Sequence, residues 1–315
     1  MKDATRWRAG LGQVIAAAYA ADPKVGAVAL GGSVARGWAD QHSDIELFVF
    51  WHEPPSDADR FNAVSRAKGR VDVWWSHPPA TSEYQQIFAA THGRMGQVWP
   101  YEDDEWSEHF YVRDVDIGVS GFLRSTVEQY LADVVDGFDT TERKHILLAA
   151  IVSGVSLRGA AQFAQWQARA AAYPAELAHA VVAQQLAGDT DWWDCEKLAE
   201  RDERHLLYPL LSHMVQRIGR MLLALNRCYL PDPRLKWLDR LIPAMPIKPT
   251  GCSTRLQSLY RVEPVAAVHE MQQLFEETLD LVDNHLPGVE TTFARQWYRH
   301  RRVQWSDTPS SVSNG

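Results

Sequence analysis

Residues 31–51 read Gly-Gly-Ser-Val-Ala-Arg-Gly-Trp-Ala-Asp-Gln-His-Ser-Asp-Ile-Glu-Leu-Phe-Val-Phe-Trp. A small apolar run, Ala27 to Leu30, leads into this stretch and reads as the end of a strand. Gly31 and Gly32 then turn the chain, Ser33 adds a hydroxyl, and Asp44 with Glu46 opens a second apolar run to Trp51. Side chains alternate across a strand, so Asp44 and Glu46 share one face while Ile45, Leu47 and Val49 take the other. Two carboxylates side by side repel, and a divalent cation between them removes the repulsion. Hard oxygen donors of this kind suit magnesium. A glycine turn exposes backbone N–H groups that a phosphate can approach closely.

The spacing Gly32-Ser33, then Asp44-x-Glu46, resembles the signature of the DNA polymerase beta-type nucleotidyltransferase superfamily, and Arg36-Gly37 extends it to the family's Gly-Ser-x-x-Arg-Gly form. The Asp-x-Glu variant, the length and the helical second half are similar to antibiotic nucleotidyltransferases of the kanamycin and lincosamide type. The specific part of the resemblance covers residues 24–51. It implies magnesium-dependent transfer of a nucleoside monophosphate from a nucleoside triphosphate, with ATP the expected donor, to a hydroxyl of a small molecule, releasing pyrophosphate. It further implies that Asp44 and Glu46 hold metal and act in catalysis, and that Gly32, Ser33 and Arg36 bind the phosphates. Neither Gly-x-Gly-x-x-Gly nor Gly-x-x-x-x-Gly-Lys occurs in this segment, which weakens the two other common nucleotide-binding readings.

Relatives add a third carboxylate from a neighbouring strand. Asp72, in Arg-Val-Asp-Val, and Asp116, in Asp-Val-Asp-Ile-Gly-Val, both sit between β-branched residues. Asp116 is preferred as the third catalytic and metal-binding residue, because a strand end and a helix start follow it; Asp72 remains the alternative. Lys236 resembles the phosphate- or substrate-contacting lysines of such helical domains, although a helix-terminal lysine favoured by the macrodipole is the plainer reading. Glu142 and His145 stand early in the helical part as candidate bases and read more simply as solvated side chains.

The chain of 315 residues suits one large or two medium domains. Its fold class is expected to be α+β: a small mixed-sheet domain over 1–123, an α-helical bundle over 124–305, and a disordered polar tail over 306–315. Strands are predicted near 26–30, 44–51, 70–75, 109–113 and 115–122, with a weaker helix over 83–91. Ser125-x-x-Glu128 reads as a capping box that opens the helical half. Helices are predicted over 4–21, 142–152, 160–171, 174–187, 197–227 and 264–285.

Cys195, Cys228 and Cys252 are odd in number and far apart, so neither a zinc cage nor a disulfide framework is indicated, and a cytoplasmic setting is expected. No apolar run approaches the ~18 residues of a membrane span. A net charge of −8 disfavours long nucleic acid as a partner. The best basic patch, Arg295, Arg299, Arg301 and Arg302 among Trp297, Tyr298 and Trp305, reads as an amphipathic segment whose arginines snorkel. The expected partners are a triphosphate and a small hydroxylated acceptor held between the sheet and the helices; a homodimer is left open. The rival reading is a toxin–antitoxin-type nucleotidyltransferase that modifies or binds a protein or tRNA.

Overall fold

The computed structural model describes residues 2–76, 98–100, 105–187 and 191–300. The helix expected over 83–91 and the polar tail at 306–315 lie outside these residues. The chain divides into two compact units, 1–173 and 174–315.

The first unit is α+β and is built on a seven-stranded mixed sheet. In chain order its elements are α1 (Lys2–Ala20), β1 (Val25–Leu30), α2 (Gly32–Ala35), β2 (Ile45–Trp51), α3 (Asp57–Arg66), β3 (Arg70–Ser76), β4 (Val98–Pro100), β5 (Glu105–Val112), β6 (Val115–Leu123), α4 (Arg124–Leu131), α5 (Glu142–Ser153), β7 (Val155–Arg158) and α6 (Ala160–Ala171). The strand order is β4-β3-β5-β6-β2-β1-β7. β1 and β2 run antiparallel, with Leu30 opposite Leu47; β2 and β6 run parallel, with Ile45 opposite Ile117 and Glu46 opposite Gly118. β5 and β6 form a hairpin whose two turn residues, Arg113 and Asp114, both have positive φ. That is the twist a two-residue hairpin demands.

One sheet face carries Val28, Leu30, Ile45, Leu47, Val49, Phe110, Ile117 and Val119, all buried in one core with Ile15 and Tyr19 of α1 and Ala63 and Val64 of α3. A charged network lies within this layer. Arg60 (1% exposed) donates to Glu108 at 2.6 Å and stacks over the Trp74 ring at 4.2 Å, and the Tyr19 hydroxyl donates to the same carboxylate at 2.6 Å. The opposite face carries Glu46, Phe48 and Phe50 along β2. At one end of it Phe50 packs on Phe122 of β6 and on Phe163 and Trp166 of α6.

This packing moves the division of the chain. The expected boundary at 123/124 falls inside the first unit, because α4 packs on β6, α6 packs on β1 and the aromatic rings, α5 packs on both helices, and β7, which the sequence reading did not foresee, pairs with β1 as an edge strand. The expected capping box at Ser125 does not form either: β6 runs directly into α4, Leu123 is the capping residue, and no side chain caps the helix. Glu128 instead accepts from Trp166 Nε1 at 2.7 Å. A capping box does form at the start of α3, between Ser56 and Asp59.

The second unit is helical: α7 (Ala175–Ala187), α8 (Cys195–Glu200), α9 (Arg204–Leu225), α10 (Leu238–Leu241), α11 (Cys252–Ser258), α12 (Pro264–His285) and α13 (Thr292–Arg299). The single helix expected over 197–227 is two, α8 and α9, broken near Asp202, whose φ is +56°. Leu207, Leu211, Met214 and Ile218 of α9 and Met271, Phe275 and Leu279 of α12 are buried, at three- and four-residue spacings that mark one face of each helix.

Candidate functional site

β1 ends at Leu30, and Gly31 continues the ladder by donating to the Glu46 carbonyl at 2.8 Å. Both glycines are compelled by side chains on β2. A Cβ on Gly31 would meet the Phe48 ring at 2.3 Å. Gly32 has φ +58°, and a Cβ there would lie 2.5 Å from Cδ of Glu46. The Glu46 carboxylate is therefore seated directly against the turn. Ser33 follows, buried at 6% exposure, in the first turn of the short helix α2, whose opening N–H groups have no partner within the helix. Arg36 closes that helix. Burial holds its guanidinium below the ordinary arginine range, and the charge of Glu46 offsets this only in part.

The segment that delivers Asp44 is pinned from both sides. Asp40 Oδ1 accepts from the His42 N–H at 2.9 Å and from the Ser43 hydroxyl at 3.0 Å. Arg8 of α1, itself buried, donates to the Ser43 carbonyl at 2.8 Å. Asp44 is thus the first residue after a fixed turn and the last before β2.

The parallel register decides which carboxylates meet. Asp44 and Asp116 each stand one residue before the Ile45–Ile117 pair, at neighbouring strand ends, and Glu46 follows on the same face opposite Gly118. Asp72 lies on β3, which is separated from β2 by β5 and β6, about 14 Å away at ~4.8 Å per strand. It also sits in an irregularity between Val71 and Val73. The topology brings Asp116 to Asp44 and Glu46 and leaves Asp72 apart.

His109 joins this face. It lies opposite Gly118 on β5, where a Cβ on Gly118 would stand 3.2 Å from its Nε2, and its Nδ1 is 3.2 Å from Asp116 Oδ1. That contact is not aligned as a hydrogen bond, and Asp116 Oδ1 is buried without one. The sequence reading missed His109, Arg8, Asp40 and Ser43. A signal for His109 existed: the two-residue turn at Arg113-Asp114 fixes the hairpin register and sets His109 diagonally across from Asp116.

A divalent cation fits the donor chemistry of this face: three hard carboxylates at two adjoining strand ends, one with a buried oxygen lacking a hydrogen bond. Among the described residues no three ligating side chains converge on one point.

Other expected positions fall elsewhere. Lys236 belongs to the second unit, in the segment between α9 and α10 rather than at a helix terminus, with Nζ 5.9 Å from the Trp237 ring centre. Glu142 is exposed, as read. His145 is not solvated: it is 4% exposed, with Nε2 2.9 Å from the Asp139 carbonyl, and burial holds its pKa below the ordinary value. In the basic patch, Arg295 pairs with Glu276, Asp280 and Asp283, Arg299 pairs with Glu276, and Tyr298 is buried. Those arginines are held by carboxylates on α12. Arg301, Arg302 and Trp305 lie outside the described residues. No helix among the described residues is long and apolar enough to cross a membrane.

Residues 140–238 match the model of a family described as a domain of unknown function, DUF4037. No curated protein matches the chain. Among solved structures it is similar to a nucleotidyltransferase-like protein from Exiguobacterium sibiricum, at 11% identity over 95% of this chain and 78% of that one, with a TM-score of 0.39.

Proposed function

We propose that the chain is a nucleotidyltransferase that moves a nucleoside monophosphate from a triphosphate, ATP in the first instance, to a hydroxyl of a small acceptor. The observation that carries this reading is the register of β2 on β6. It puts Asp44 and Asp116 at neighbouring strand ends with Glu46 following on the same face, and the Glu46 carboxylate lies directly against the turn at Gly32.

In this reading the turn binds the outer phosphates through the opening N–H groups of α2 and the Ser33 hydroxyl. Arg36 adds positive charge beside them, next to the Glu46 carboxylate. Asp44 and Glu46, with Asp116, would hold magnesium, which when bound neutralises the phosphates and orients the attacking and leaving oxygens. The acceptor oxygen forms a bond to the α-phosphorus, the bond to the bridging oxygen breaks, and pyrophosphate leaves. The acceptor proton must pass to a base on the same face, and Asp116 with His109 at 3.2 Å is the pair that this face presents.

The test is incubation of the full chain with each α-labelled triphosphate and magnesium over a panel of aminoglycoside, lincosamide and simple sugar acceptors. A labelled acceptor with one pyrophosphate released per transfer is the expected product. Label appearing on the protein or on added tRNA, with no small acceptor modified, would replace the small-molecule reading by the protein- or RNA-directed one.

A further inference from the structure

The second unit contains a cavity of about 650 Å³ between α9, the segment 234–237, α10 and the end of α11. Its size is that of a small-molecule site. Its lining includes three arginines, Arg234, Arg240 and Arg261, and a single acid, Asp239. Two aromatic rings, Trp237 and Tyr260, complete the wall. Arg261 has no ion pair among the described residues, and Arg234 has only a 3.8 Å contact to Asp232. An excess of guanidinium groups beside flat rings is the composition that binds a planar group carrying negative charge.

The backbone under this wall is strained. Leu235 has φ +56° and Trp237 φ +69°, a region that costs a bulky residue energy and persists only where its surroundings enforce it. The enforcement is visible. Asp232 Oδ1 accepts from the Arg234 N–H at 2.8 Å, and the Leu235 side chain is buried against Gly219 of α9, where a Cβ would lie 2.6 Å from Leu235 Cδ1. The strain turns Trp237 into the wall, with the Arg240 guanidinium 4.6 Å from its ring centre.

We infer that this cavity binds a mononucleotide-like ligand, a planar ring bearing a phosphate, with the ring on Trp237 and Tyr260 and the phosphate between the arginines. The inference does not rest on the proposed transfer reaction, since the cavity lies wholly within the second unit.

The test uses the full chain carrying Asp44→Asn and Glu46→Gln, in EDTA, so that metal-dependent binding at the carboxylate face is removed. Calorimetric titration with AMP is expected to saturate at one site. Adenosine and inorganic phosphate should each bind at least roughly tenfold more weakly than AMP. Adding Arg234→Gln and Arg261→Gln should weaken AMP by a similar factor while thermal unfolding stays unchanged, and Trp237→Ala should do the same where Trp237→Phe does not. Absence of saturable AMP binding, binding indifferent to these substitutions, or phosphate binding as tight as AMP would overturn the inference.

Discussion

Gly32 is the residue on which the site turns, for two independent reasons: its φ of +58° and the carboxylate of Glu46 lying where a Cβ would be. Gly32→Ala is expected to cost about 1–3 kcal/mol in urea denaturation and to displace Glu46, so activity should fall further than the lost stability explains. Gly37→Ala is the control, since that position also has positive φ, at +72°, but open space around it. At the same scale, Asp44→Asn and Glu46→Gln each remove one charge with little change of shape. Both should fold and lose orders of magnitude in turnover, because charge stabilisation by a bound metal supplies several kcal/mol of the barrier. The spacing of Gly32, Ser33, Asp44 and Glu46 was legible from the chain alone. The supports of that spacing were not. Arg8 and Ser43 meet only through the fold, and nothing local distinguishes a buried arginine that holds a loop carbonyl from a solvated one.

Individual elements carry their own tests. The pair Arg60–Glu108 links α3 to β5 with both side chains at most 3% exposed. Arg60→Met should destabilise by about 3–5 kcal/mol, since it leaves the Glu108 charge buried without its partner, and the cost is read from chemical denaturation. Ahead of α5, burial raises the Asp139 carboxyl, but hydrogen bonds from Lys144 and Thr141 outweigh it and hold the group down to about 2. A depressed carboxyl adds stability that is complete above its unfolded value, about 4, and is lost as pH falls through about 2. Asp139→Asn should therefore lower stability at neutral pH and flatten the acid limb between those values, measured by thermal unfolding against pH. At this scale the sequence was readable where periodicity was strong: α6 and α12 fall on the expected residues. It misled at Ser125, where a strand passing straight into a helix leaves the local capping pattern unused. It hid β7, whose Val-Ser-Leu-Arg is too short to show alternation and becomes a strand only because the edge of β1 is there to pair with it.

For the whole molecule, the location of the division is the chief departure from expectation. Helices after residue 123 were read as a separate domain, yet Phe50 and Phe122 need α6, and β1 needs β7. A fragment 1–173 is expected to unfold cooperatively. A fragment 1–123 should aggregate or bind hydrophobic dye, since it exposes those rings; comparable cooperativity of the two fragments would restore the earlier boundary. Sequence periodicity could not reveal this, because it reports that a helix has an apolar face but not which element that face covers. The preference for Asp116 over Asp72 likewise rests on the whole sheet, since strand order puts Asp116 beside Asp44 and leaves Asp72 three strands from β2. The central claim is that the face bearing Asp44, Glu46 and Asp116 transfers nucleotides. Its most direct test is the initial rate of magnesium-dependent pyrophosphate release from each triphosphate, in the presence of acceptors, compared among the wild-type chain, Asp44→Asn, Asp116→Asn and Asp72→Asn. The account predicts release by the wild type and by Asp72→Asn, with loss of at least about a hundredfold in the other two. Near-normal release by Asp44→Asn, or loss in Asp72→Asn with Asp116→Asn intact, would contradict it.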